Sequence, residues 1–405
     1  MTTTQASIDE QMAVLMRGVE YGDPHIQRTM QEDLRERLKL GRPLRVYQGF
    51  DPTFTGLTLG NMVGLLKLRQ FQRFGHEVTF LIGTMTARIG DPSDKAAARQ
   101  QLTEEEVEAN ARDWLDQAYR VIDRDKTVVR RNADWLSPLT LEDVVKLASN
   151  FTVAEFLAHE TFRKRMEESR PLYIHEFIYA LMQAYDAHHM KTDVQVGGID
   201  QLFNIMAGRK LQQAMGEPPL IAVCTPLLVG TDGHDKMSKS QGNSINMDDS
   251  PADMYGKVMS IPDSLLSNYY TLLTEVAIEE IEAVERGDVK PMDAKKRLAR
   301  EIVALLHDET AADAAQGEFE RVIQGGEAPS EPIDLPAELG SGSVDITQVL
   351  TNAEAVPSRS EARRLVSQGG IAIDGVAVTQ PQVELNEGAI VRIGRHRFYR
   401  VVRKG

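Results

Sequence analysis

The stretch whose reading decides the fold runs from Leu44 to Ile82, LRVYQGFDPTFTGLTLGNMVGLLKLRQFQRFGHEVTFLI. It opens on Leu44-Arg45-Val46-Tyr47, a short run of β-type residues, and turns through Gly49, Asp51 and Pro52. Met62, Leu65, Leu66, Leu68 and Phe71 then recur near helical spacing as far as Phe74, and Val78-Thr79-Phe80-Leu81-Ile82 reads as a buried strand. Strand, helix and strand in one short span make a βαβ unit. The same rhythm continues through Thr127-Val128-Val129 to about Val229, which predicts a parallel sheet with helices on both faces.

Beyond that region the pattern changes twice. From Asp249 to Glu318 it is almost wholly helical, with apolar residues three and four apart in Leu265 to Leu273 and in Ala294 to Leu306. Gly325, Gly326, Pro329, Pro332, Pro336, Gly340 and Gly342 then crowd together and read as a linker. The tail from Asp345 to Gly405 holds nine Lys and Arg against six Asp and Glu, a net +3. The whole chain carries 46 basic and 60 acidic residues, net -14, so the body before the tail stands at -17. A non-specific polyanion binder is thereby excluded, because phosphate contacts need Lys and Arg.

Hydrophobic residues make up 42% and charged residues 26% of the 405 residues, the balance of a folded globular chain. Cys224 is the sole cysteine, so no intrachain disulfide forms and a reducing compartment is expected. The polar, acidic N-terminal ten residues lack a signal-peptide core, and no apolar run approaches the roughly 18 residues of a membrane span.

Four segments carry chemistry-bearing residues. Tyr47 to Asn61, YQGFDPTFTGLTLGN, ends a strand and opens a helix near Gly60, where free backbone N–H groups favour an anion. Gly230 to Ser240, GTDGHDKMSKS, sets Lys236 and Lys239 three residues apart, close enough to grip one polyphosphate. In Ala87 to Arg99, ARIGDPSDKAAAR, Lys95 and Arg99 share a helix face and Asp91 follows a strand. In Ile178 to Asp186, IYALMQAYD, the residues Tyr179, Gln183 and Asp186 share one face, a poor core stripe but a good lining for a small polar ligand. Gly197 to Asn204, GGIDQLFN, adds Asp200 and Gln201 beyond a strand. Taken singly, each segment also fits an ordinary turn, cap or solvated loop.

In their order and spacing, GFDPT, GDPS, QAYD, GG-x-DQ-x-x-N and KMSKS resemble the bacterial tyrosyl-tRNA synthetases, class I aminoacyl-tRNA ligases. The tail segment Pro357 to Gly375, PSRSEARRLVSQGGIAIDG, resembles the ribosomal S-four-type RNA-binding fold. The resemblance implies an α/β protein. Residues 1–230 would form N-terminal helices and a Rossmann-like parallel-sheet catalytic domain, and 231–324 the KMSKS loop and a helical domain. A linker would follow over 325–344, then a small α+β RNA-binding domain over 345–405.

The implied reaction activates L-tyrosine with ATP and Mg2+ to tyrosyl-adenylate, then passes the tyrosyl group to the 3′ end of tRNA(Tyr). No tightly bound cofactor and no resident metal are expected. A cytoplasmic homodimer with no membrane contact is implied, its helix contacts supplied by Leu147 to Arg170.

By the same resemblance, Tyr47 and Asp186 hydrogen-bond the substrate phenol, and Asp91, Tyr179 and Gln183 hold its ammonium group. Asp51, Asp200 and Gln201 handle the adenylate's ribose and acyl end, with Gln201 also on the tyrosine side. Gly49, Gly60, Asn61, Gly198, Met237 and Ser238 line the ATP site. Thr53, Thr58, Lys95, Arg99, Lys236 and Lys239 serve the phosphates, and Arg359, Arg363 and Arg364 meet the tRNA. The family's signature His-Ile-Gly-His stands here as Thr58-Leu59-Gly60-Asn61, and Asp94 replaces a usual Gly. A hydroxyl donates one hydrogen bond but carries no charge, so an active enzyme with a slower activation step is expected. Two other readings fit part of the pattern: a paralogue that binds adenylate or RNA without charging tRNA, and a tryptophanyl enzyme. The Asp186 carboxylate disfavours the second, since an indole offers no phenolic hydroxyl.

Overall fold

The computed structural model describes residues 6–91, 102–158, 160–325, 327–329, 332–339, 342–394 and 397–404. The chain divides into two compact units, Met1–Asp308 and Glu309–Gly405.

The first unit is built on five parallel strands in the order β3-β2-β1-β4-β5. They are β1 (Arg45–Phe50), β2 (Glu77–Ile82), β3 (Thr127–Arg131), β4 (Val194–Gly198) and β5 (Ile221–Thr225). Val46 lies between Val78 of β2 and Val194 of β4. β5 is buried at every residue, the mark of a parallel strand covered on both faces. The strand order reverses between β1 and β4. In open α/β sheets that reversal leaves a crevice beyond the carboxyl ends of the strands, where ligands bind.

Helix Leu59–Arg73 fixes one wall of that crevice. Thr58 stands just before it with extended backbone, and its N–H and hydroxyl both donate to Asn61 Oδ1 at 3.0 Å. The helix buries Leu59, Met62, Leu65, Leu68 and Phe71 beside the sheet. Its Lys67 is buried too. The ammonium donates to the carbonyls of Val14, Leu15 and Arg17, so it caps the end of helix Ile8–Leu15. Helix Ile174–His189 packs on Leu202–Ala214, with small residues at the contact: a Cβ at Gly208 would stand 3.2 Å from Ala187 Cβ.

At the opposite, amino end of the sheet, Asp193 is enclosed by Arg37, Arg42 and Arg45 and accepts the Arg45 N–H at 2.9 Å. Burial pushes its carboxyl up, but hydrogen bonds from Arg42, the Arg45 N–H and Arg37 outweigh that and hold it at about 2. The expected helical stretch appears as Pro251–Ser260, Leu266–Leu273, Ile278–Glu285 and Pro291–Leu306.

The second unit carries a five-stranded sheet in the order β6-β12-β11-β8-β9 and a two-stranded ribbon of β7 and β10. The strands are β6 (Ile333–Ala337), β7 (Val344–Asp345), β8 (Ile371–Ile373), β9 (Val376–Ala377), β10 (Gln382–Val383), β11 (Ile390–Ile393) and β12 (Arg397–Arg403). Leu335, Ile346, Leu350, Ala362, Val366, Ile371, Val391, Ile393 and Val401 form its core with helices Ile346–Asn352 and Arg359–Ser367.

One expectation needs correction. The stretch 325–344, read as linker, contributes β6, which pairs in parallel with β12 through Leu335 beside Val401. Alternation turns Leu335 and Ala337 inward and Asp334 and Pro336 outward, while Ile333 at the strand's start is exposed. Pro336 is tolerated because β6 is an edge strand, where a missing N–H costs no ladder bond.

Candidate functional site

A cavity of about 590 Å3 opens at the carboxyl ends of β1, β2, β4 and β5. Its walls include every described residue expected to hold tyrosine or ATP: Tyr47, Gly49, Asp51, Thr53, Thr58, Gly60, Asn61, Asp91, Tyr179, Gln183, Asp186, Gly198, Asp200, Gln201, Lys236, Met237, Ser238 and Lys239. Lys95 and Arg99, with Asp94, lie outside the described residues.

One end of the cavity is lined by buried polar groups. Asp186 is 2% exposed and accepts the Trp135 indole N–H at 2.7 Å and the Asn132 amide at 3.2 Å. Burial pushes its carboxyl up to about 8, and those two donors pull against the shift. The Tyr47 hydroxyl is buried in the same cavity with no hydrogen-bond partner among the described residues, its pKa raised by burial and by the Asp186 charge. An orphaned buried hydroxyl is costly unless a ligand completes it. Beneath Trp135 lies the His189 ring, stacked at 4.6 Å.

A hydrogen-bonded chain runs from this end along the cavity. Asn132 also donates to Thr86 Oγ1 at 3.0 Å, and Thr86 donates to Asp51 Oδ1 at 2.6 Å. Tyr179 donates to Asp51 Oδ2 at 2.9 Å. Asp51, expected at the nucleotide end, is thus engaged by the tyrosine-side hydroxyl. Burial and the nearby Asp91 charge raise it to about 7, against the hydrogen bonds from Thr86 and Tyr179. Gly83 makes the arrangement feasible, since a Cβ there would fall 1.8 Å from Asp51 Oδ1. Gln201 donates to Asp91 Oδ2 at 2.6 Å and accepts from Asn204 at 3.2 Å.

Another part of the cavity wall comes from the Gly230–Ser240 loop. Met237 N–H donates to the Leu228 carbonyl at 2.8 Å, and Ser238 N–H to Asn243 Oδ1 at 2.8 Å. Lys236 pairs with Asp200 at 3.4 Å, and Lys239 donates to the Thr55 carbonyl. Thr58 is buried, with its hydroxyl turned to Asn61.

Sequence reasoning missed Asn132, Trp135 and Thr86. A usable signal existed: Asn132 to Trp135 and Thr84 to Thr86 directly follow β3 and β2 at their carboxyl ends.

In the second unit, the three arginines at helix Arg359–Ser367 differ in their surroundings. Arg359 pairs with Asp345 at 2.6 Å, and Arg364 forms a fork with Glu361. Arg363 is exposed.

Comparison with known proteins finds two families, the first match running past Asp308 into the second unit. The family model described as "tRNA synthetases class I (W and Y)" matches residues 39–324, and the "S4 domain" matches 346–391. A tyrosine–tRNA ligase of Moorella thermoacetica is 44% identical over 403 residues, covering 98% of this chain and 97% of that one. One of Symbiobacterium thermophilum is 44% identical over 414 residues, covering 100% of both. The crystal structure of tyrosyl-tRNA synthetase complexed with L-tyrosine from Archaeoglobus fulgidus aligns with TM-score 0.60 at 25% identity, covering 77% of this chain and 100% of that chain.

Proposed function

We infer from one premise, that the chain belongs to the class I tRNA synthetases of the tryptophan and tyrosine family, that it is a tyrosine–tRNA ligase using ATP. A carboxylate oxygen of tyrosine attacks the α-phosphorus, the bond to the β-phosphate oxygen breaks, and tyrosyl-adenylate and diphosphate form. A terminal ribose hydroxyl of tRNA(Tyr) then attacks the acyl carbon and AMP leaves. Neither step needs a covalent bond to the protein, which contributes position and electrostatics.

The observation that carries the tyrosine assignment is the buried pair of Tyr47 and Asp186 in one cavity. A phenol hydroxyl bonds both; phenylalanine leaves the Tyr47 hydroxyl unpaired and Asp186 with only its Trp135 and Asn132 donors. Asp91, Tyr179, Gln183 and Gln201 receive the ammonium side, while Gly49, Gly60, Asn61, Gly198, Asp200, Met237 and Ser238 receive the nucleoside. Thr53, Thr58, Lys236 and Lys239 serve the phosphates, with Asp51 bridging the two ends; the family resemblance gives Lys95 and Arg99, outside the described residues, the same role. Mg2+ accompanies ATP in this reading. Among the described residues no group of three His, Cys, Asp or Glu side chains is arranged to hold an ion, and no step here is routed through one.

The tail arginines Arg359, Arg363 and Arg364 contact tRNA phosphates, which position rather than specify. Exposed Leu141, Val145, Val153, Met166, Tyr173 and Ile174 support a homodimer; Leu147, Phe156 and Phe162, inside the stretch expected to supply it, are buried in the protomer. A cytoplasmic site suits the single buried thiol of Cys224. No described helix is long and apolar enough to cross a membrane.

The decisive experiment is ATP–pyrophosphate exchange with a panel of amino acids. Exchange with tyrosine alone is expected. Exchange with tryptophan, or with none, overturns the assignment.

A further inference from the structure

Lys239 ends in a place shaped for it. Its ammonium donates to the Thr55 carbonyl and lies over the α-carbon of Gly56. A Cβ at Gly56 would fall 2.7 Å from that nitrogen and 3.1 Å from Gln117 Nε2. Gly56 has φ of +67°, a left-handed conformation that disfavours any side chain. Its N–H donates to Asp113 Oδ2 at 2.7 Å, and the next N–H, of Leu57, donates to Gln117 Oε1 at 2.8 Å. Gln117 Nε2 donates to the same Asp113 oxygen at 3.1 Å.

The support extends along one helix. Asn110, Asp113, Trp114 and Gln117 lie on one face of helix Glu104–Ala118. Trp114 Nε1 donates to the Phe54 carbonyl at 2.7 Å and Asn110 to the Pro52 carbonyl at 3.0 Å. Four polar side chains from one helix therefore hold the backbone of residues 52–57. Gly56 and Lys239 both line the substrate cavity, as does Thr53.

We propose that Gly56, held by Asp113 and Gln117, is a docking notch that positions the Lys239 ammonium at the cavity mouth for the phosphate end of ATP. Asp113 and Gln117 are then positioning residues of the activation step. The proposal rests on the ligase reading above and deepens it.

The physical reason is the nature of lysine. Its charge sits on a flexible four-carbon stem, and ordering that stem at the moment of reaction is costly. The notch at Gly56 supplies the ordering beforehand. The resting partner is a neutral carbonyl, a weaker acceptor than a phosphate oxygen, so the ammonium exchanges one for the other when the polyphosphate arrives. Any side chain at Gly56 takes the ammonium's place.

The test is a double-mutant cycle in the full-length enzyme, read by tyrosine-dependent ATP–pyrophosphate exchange. Gly56→Ala should lower exchange kcat at least about tenfold, the expected effect of a misplaced charge in the transition state, and leave tyrosine binding unchanged. In a Lys239→Ala background the same substitution should change kcat less than about twofold, because coupled residues are not additive. Asp113→Ala should behave like Gly56→Ala, and Asp113→Asn should restore activity, since an amide oxygen accepts the same two N–H bonds. Equal losses from Gly56→Ala with and without Lys239, or parent-like exchange by Gly56→Ala, overturn the notch. Should Gly56→Ala fail to bind tyrosine, the Asp113→Ala and Asp113→Asn pair, run through the same cycle, decides in its place. A parent enzyme without tyrosine-dependent exchange refutes the ligase reading instead.

Discussion

Trp135 donates its indole N–H to Asp186 at 2.7 Å, and it is one of two donors holding that buried carboxylate. Replacing Trp135 by Phe keeps a ring against His189 and removes the donor. The kcat/KM for tyrosine in exchange should fall about 10- to 100-fold, the cost of leaving a buried acceptor short of one donor. Phenylalanine, which leaves Asp186 unused in any case, should lose less. Equal losses for both amino acids would mean the indole N–H has no part in reading the phenol.

Burial of Asp186 and Asp51 gives a second prediction, concerning stability against pH. Both carboxyls are raised in the folded enzyme, to about 8 and about 7, whereas an unfolded Asp titrates near about 3.9. Between those values the folded chain holds more protons than the unfolded one, so stability falls as pH rises. Thermal melts should show Asp186→Asn gaining on the parent steadily from pH 5 to pH 8. Parallel curves would refute the assignment. Asp193 has the opposite sign: held at about 2, it stabilises above about pH 4 and that contribution is lost as pH falls toward 2.

Thr58 tests the departure from the family signature. Its hydroxyl donates to Asn61 and not into the cavity, so it supplies less to the phosphates than a histidine would. Thr58→His should exchange pyrophosphate at least as fast as the parent. A clear fall would show that the Thr58–Asn61 bond itself is what the activation step requires.

The two-unit division predicts separable activities. A chain ending at Asp308 should retain tyrosine-dependent exchange and lose tRNA charging. A cut after Ser343 is a poorer tool, because it strands β6 without β12. Loss of exchange in the shorter chain would show that the second unit is needed for adenylate chemistry.

Within the tail, Arg363→Ala should raise KM for tRNA and reduce the slope of log affinity against log salt by about one. Arg359→Ala and Arg364→Ala should change that slope less, since Asp345 and Glu361 already neutralise those guanidinium groups. Identical slopes for all three variants would rule out this ranking.

Much of this was legible in the chain. The βαβ rhythm around Leu44 to Ile82 located β1, β2 and their helix, and the described motif residues line one cavity because they follow a strand's carboxyl end, sit on a facing helix or belong to the Gly230–Ser240 loop. What escaped notice has physical causes. Trp135 and Asn132 carry no motif; they act by hydrogen bonds to a residue far along the chain, which periodicity does not register. The glycines and prolines around Leu335 hid an edge strand whose signal is only two inward residues. Asp51 was assigned to the nucleotide by its place in GFDPT, and only the fold shows Tyr179 and Thr86 on its two oxygens.

The sheet's two ends have opposite electrostatic characters. Three arginines satisfy Asp193 at the amino ends of the strands, while at the carboxyl ends Asp51 and Asp186 stay buried without any cation among their hydrogen-bond partners. Sequence drift among descendants of this enzyme should therefore be lopsided. Changes around Asp193 would be tolerated whenever the fold has stability to spare. Changes around Asp186 can make the empty protein sturdier and still be removed by selection, because on the proposed reading they take away one of the two side chains that read the tyrosine phenol.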